Sequence, residues 1–104
     1  MKKMILVLIW VFLFQGIASA GILFGIIKKE DGKPLAETKV IFEGIEITTN
    51  AFGGYKVKLN DGERELKVVI NEEEYTSEEI RIYSPETKQN WRIDENQKRL
   101  RKIR

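Results

Sequence analysis

Hydrophobic residues follow two regimes along the chain. Residues 4–14 are wholly apolar behind Met1, Lys2 and Lys3, and the run softens at Gln15 and Gly16 before Ala18, Ser19 and Ala20. A positive start, an apolar stretch of this length and an Ala-x-Ala end make the pattern of a cleavable export signal. Cleavage is expected after Ala20, removing a helical signal peptide (1–20) and leaving an 84-residue mature chain. The competing reading is an uncleaved anchor, because no charge occurs between Lys3 and Lys28 and a spanning helix needs about 20 apolar residues. Gln15, Gly16, Ser19, Gly21 and Gly25 interrupt that window.

Beyond Gly21 the apolar residues recur with period two, and no helical spacing is sustained before the last dozen residues. The alternation predicts seven short strands at 22–28, 39–43, 46–49, 55–60, 63–68, 75–83 and 87–93. Clusters such as Glu30-Asp31-Gly32-Lys33-Pro34 end them, since Gly and Pro supply turn geometry. Asp61-Gly62 predicts a two-residue hairpin that pairs Asn60 with Glu63, Val57 with Leu66 and Tyr55 with Val68. The same register sets Lys58 across from Glu65 on the opposite face. Tyr75 lies out of phase with Ile80 and Ile82, which predicts a bulge or bend near residues 77–79. Many short strands with turn signals between them indicate an all-β sandwich rather than a βαβ fold.

Three segments resemble a known pattern. Gly25-Ile26-Ile27 with Asp31-Gly32-Lys33-Pro34-Leu35-Ala36 and Val40-Ile41-Phe42, then Thr49-Asn50-Ala51-Phe52-Gly53-Gly54-Tyr55, then Asp61-Gly62 followed by Leu66, Val68 and Tyr75, are similar to the carboxypeptidase regulatory-like family. The similarity covers about residues 25–93 and implies a seven-stranded, immunoglobulin-like (transthyretin-like) β-sandwich at 21–93. Arg64 and Glu74 depart from it, standing where the family carries an aromatic and a Gly. The resemblance implies an accessory, stabilising or binding role with no shared active site; a fold does not by itself define a function.

Charge changes the picture only once the signal is set aside. Losing Lys2 and Lys3 leaves 16 basic residues against 16 acidic ones, unevenly placed. Lys98, Arg99, Arg101, Lys102 and Arg104 crowd the end, so an acidic body is expected to carry a basic tail at 94–104. Either that tail binds an anionic partner, with Leu100 and Ile103 on one helix face, or it is a disordered solubilising end; its removal is expected to leave the fold intact.

Candidate chemistry is sparse. The chain has no His and no Cys, which removes His-activated nucleophiles, the usual zinc ligands, disulfides and a Cys-borne lipid anchor. Ser77 and Ser84 read as ordinary solvated serines, and Glu72, Glu73, Glu74, Glu78 and Glu79 as a solvated acidic rim, with a loose Ca²⁺ site as the competing reading of that rim. Neither cofactor nor catalytic residue is expected. Trp91 is either a core residue or a stacking platform for sugar or protein, and Phe52, in a loop, follows it as a candidate contact open to the same two readings. The expectation is an exported protein, periplasmic or secreted, that acts as a non-catalytic module for interaction with another envelope protein or for structural support. The alternative is a module for glycan or anionic envelope polymer, using Phe52, Trp91 or the basic residues Lys98, Arg99, Arg101, Lys102 and Arg104. Nucleic acid is the least expected partner of an exported chain, and membrane contact after cleavage would be peripheral.

Overall fold

The computed structural model describes residues 19–103; of the expected signal segment only Ser19 and Ala20 fall within them, Ala20 opening the first strand, and the rest, with the competing reading as an anchor and Arg104, lies outside. Among the described residues the protein is all-β and holds no helix. It is built from β1 (Ala20–Lys28), β2 (Lys39–Phe42), β3 (Ile45–Thr48), β4 (Gly54–Asn60), β5 (Gly62–Arg64), β6 (Lys67–Ile70), β7 (Glu73–Ser77), β8 (Ile80–Ile82), β9 (Glu86–Lys88), β10 (Asn90–Asp94) and β11 (Arg99–Ile103). One large sheet runs in the order β3-β2-β6-β7-β11-β10-β1-β4, with β9 also on β1, while β5 and β8 form a separate pair. The large sheet curls into a sandwich-like shape until its two end strands, β3 and β4, approach each other across a seam.

Two tight hairpins set much of this. Glu43-Gly44 joins β2 to β3 and Asn71-Glu72 joins β6 to β7, each with positive φ at both central residues, the backbone whose twist matches paired strands. Strand β1 is central because it is apolar on both faces, with Leu23 and Ile27 fully buried inward. It lies antiparallel to β4 and parallel to β9, then passes from β9 to β10. Gly25 permits that transfer: its φ is +156°, and a Cβ there would collide with the Gln89 carbonyl.

The core closes around Trp91, Phe42, Leu23, Ile27, Leu66, Ile82 and Leu100, all essentially without exposure. Tyr55 stacks on Phe42 with ring centroids 5.1 Å apart. Its hydroxyl accepts from Trp91 Nε1 at 2.9 Å and donates to the Gln89 carbonyl at 2.6 Å, so the polar atoms of both buried aromatics are paired. Burial pushes the Tyr55 phenol well above its ordinary value.

Several expectations are corrected by this arrangement. Eleven short strands replace seven, partly because the long predicted strands 75–83 and 87–93 are each broken in two. The first break, at Glu78 and Glu79, is the expected bend: Tyr75 and Ser77 point inward before it, Ile80 and Ile82 after it. The Asp61-Gly62 hairpin does not form. Asp61 N instead donates to Ser19 O at 3.0 Å, the chain leaves β4, and Gly62 to Arg64 pairs with β8. Tyr55, Val57, Leu66 and Val68 are all buried as the alternation requires, but β4 pairs with β1 and β6 with β2 and β7. Glu65 accordingly meets Arg99 at 3.2 Å rather than Lys58.

The basic tail is corrected too. Residues 99–103 are an interior strand between β10 and β7, with Leu100 fully buried, so they are neither a helix nor a disordered end, and the body extends through Ile103.

Candidate interaction face

Of the two aromatics singled out in the sequence, only one reaches solvent. Trp91 is 0% exposed, which withdraws it as a stacking platform. Phe52 is 75% exposed. Its loop is ordered by Asn50, whose Oδ1 accepts from the N–H of Phe52 at 2.9 Å and of Gly54 at 2.8 Å while its backbone bonds Gly53 and Gly54. The ring is thus held out on a fixed turn.

The basic residues of β11 and its turn are largely matched by carboxylates. Lys98 pairs with Glu73, Arg99 with Glu65 at 3.2 Å and Arg101 with Asp94 at 3.2 Å. Hydrogen bonding by Lys98 holds the Glu73 carboxyl below its ordinary value, and Gln97 N–H does the same for Asp94. The backbone N–H of Lys102 donates to Glu78 Oε1 at 2.6 Å. What looked like a free cationic tail is a strand whose charges knit it to its neighbours. Of the expected acidic rim, Glu73 and Glu78 enter these bonds while Glu72, Glu74 and Glu79 stay exposed to solvent, and among the described residues no group of three or more carboxylates is placed to hold a metal ion.

Ser77 is also corrected, from solvated to fully buried. Its Oγ accepts from Leu66 N and donates to Glu78 O, both at 2.8 Å, splicing β7 to the start of β6. Ser84 is exposed and donates to the Asp61 carboxylate at 2.8 Å, pinning the chain where it leaves β4.

A different surface stands out from the geometry. The outward side chains of β1 are Ile22, Phe24 and Ile26, an apolar row on a strand whose inward side is already core. Register sets Lys58 beside Ile22 and Lys56 beside Phe24 on β4, and Glu86 and Lys88 beside the same two residues on β9. Lys56, Lys58 and Lys88 are exposed and join no salt bridge among the described residues. A shallow groove of about 450 Å³ crosses this face, lined by Phe24, Thr48, Asn50, Gly54, Lys56 and Glu86. Ile26 pairs with Gly54, so the Phe52 turn lies at the Ile26 end of the row.

Arg64 locks the neighbouring seam at its other end. Its guanidinium donates to Asn60 O at 3.1 Å and to Glu43 Oε1 at 2.8 Å, tying the end of β4 to the β2–β3 hairpin. Sequence reasoning missed both features: alternation marks Lys56 and Lys58 as outward, but only the pairing of β4 with β1 puts them beside an apolar row.

No protein-family model and no curated protein matches the chain.

Proposed function

We propose that the chain is an exported, non-catalytic interaction module of the cell envelope, a transthyretin-like sandwich of the carboxypeptidase regulatory-like kind, which engages a partner protein through the outer face of β4, β1 and β9. The single observation that carries this is the apolar row Ile22-Phe24-Ile26 framed by three lysines without carboxylate partners. Apolar area at the centre with charge at the rim is the anatomy of a protein-binding surface. Support for a non-catalytic role comes from the missing His and Cys and from Ser77 being consumed by backbone hydrogen bonds. The alternative, a site for glycan or anionic polymer, loses Trp91 to the core and Lys98, Arg99 and Arg101 to their carboxylates, and retains Phe52 and Lys102.

Capture from an envelope extract of the producing cells tests the reading when the protein is compared with its Lys56→Glu/Lys58→Glu/Lys88→Glu variant. A specific protein retained by the first and reduced about tenfold or more by the second, at unchanged melting temperature, is the expected result. Retention of polysaccharide alone, or of nothing that the variant loses, contradicts it.

A further inference from the structure

The free edge of β4 points to how a partner would engage. Flanking hydrogen bonds, Ile27 N to Gly53 O at 2.9 Å and Asp61 N to Ser19 O at 3.0 Å, turn the odd-numbered residues 53–61 toward β1. The backbone groups of even-numbered residues therefore point the other way. Gly54 confirms this by bonding Asn50, and Asn60 by accepting from Arg64. Between those two ends, the N–H and C=O of Lys56 and Lys58 face the seam, and β4 is hydrogen-bonded to no strand on that side among the described residues. An unpaired edge of this kind is a template for an added strand.

Two further features fix the chemistry of that strand. Across the seam, Ile45 and Ile47 of β3 stand opposite Phe42 and Val40, both fully buried, so they point inward; yet Ile45 is 43% exposed and Ile47 only half-buried. Inward residues of an added strand would cover them, which calls for apolar side chains. Outward residues of the same strand would lie against Lys56 and Lys58, which calls for carboxylates. A second copy of this chain is disfavoured, because antiparallel pairing of β4 with itself sets lysine against lysine on the outer face.

We infer that the β4 edge binds an extended segment of a partner protein in which acidic and apolar residues alternate, by strand addition at Lys56 and Lys58. This rests on the interaction-module reading and specifies its mode. The probe is a synthetic eight-residue peptide alternating Glu and Val, with a Lys-Val peptide of equal length as control, titrated against the intact protein. Lys58→Pro removes an outward N–H that makes no internal bond, a substitution that edge strands accommodate; Lys56→Pro does the same one pair away, and whichever variant melts like the parent is used. Expected are binding of the Glu-Val peptide, at least about tenfold weaker binding by the Pro variant, and no comparable binding of the Lys-Val peptide. Absence of Glu-Val binding, or binding that the Pro substitution leaves unchanged, overturns the inference. So does a face that binds vesicles of anionic phospholipid equally well with and without Pro, since that marks a headgroup surface. The two readings fail separately: an envelope protein captured equally by parent and Pro variant sinks strand addition alone, whereas capture of no protein sinks the module.

Discussion

Truncation after Lys98 is expected to abolish cooperative unfolding. β11 pairs over its whole length with β10 and at Arg99 and Leu100 with β7, so it joins the two halves of the large sheet. Removing it exposes one edge of β10, takes the fully buried Leu100 out of the core and breaks the Arg99 bonds to Glu65 and the Ser77 carbonyl. Loss of one buried leucine alone costs about 2–5 kcal/mol. Added to the lost strand pairing, this is comparable to the whole stability of a small domain, about 5–15 kcal/mol. Circular dichroism on heating would show no sharp transition in the truncated chain; a cooperative melt near that of the parent would mean that β11 is not an interior strand.

Tyr55→Ala has the second largest expected effect, a loss of about 4 kcal/mol or more, from a cavity beside Phe42 and the stranding of Trp91 Nε1 in the core. Tyr55→Phe separates the two contributions. It keeps the ring and removes the hydroxyl that serves both Trp91 and Gln89, so it should cost about 1–3 kcal/mol. Urea midpoints measure both. A Phe variant as stable as the parent would show that the buried hydrogen-bond chain contributes nothing, and a mild Ala variant would contradict the packing at Phe42.

How far the fold was legible in the sequence follows from what each signal measures. Period-two alternation reports which side chains are buried, and it correctly put Tyr55, Val57, Leu66, Val68, Ile80 and Ile82 inward. It does not report which strand lies beside which. Asp61-Gly62 carries a strong local turn preference, yet β1, apolar on both faces, takes β4 as its neighbour and sends the following residues across to β8. Long-range pairing overrode a short-range rule.

The last strand was hidden for a related reason. Within β11 only Leu100 is both apolar and fully buried, and its cations read as a solvated tail until Glu73, Glu65 and Asp94 are seen beside them and Lys98. The candidate site was half legible on the same grounds. Phe52, in its loop, was open to either burial or exposure, and the ring is exposed. Trp91 was ambiguous by pattern alone, since an inward strand position and a platform share the same alternation. Lys56 and Lys58 carry no motif at all, and their meaning comes from their neighbours.

Hydrogen exchange of individual β4 amides, followed by NMR on the protein without a partner, tests the central claim most directly. Strong protection is expected at Tyr55, Val57 and Leu59, whose amides face β1, and fast exchange at Lys56 and Lys58, whose amides face the seam. Protection at Lys56 and Lys58 equal to that of their odd-numbered neighbours would mean that the edge is already paired, and would contradict an interaction module that works through it.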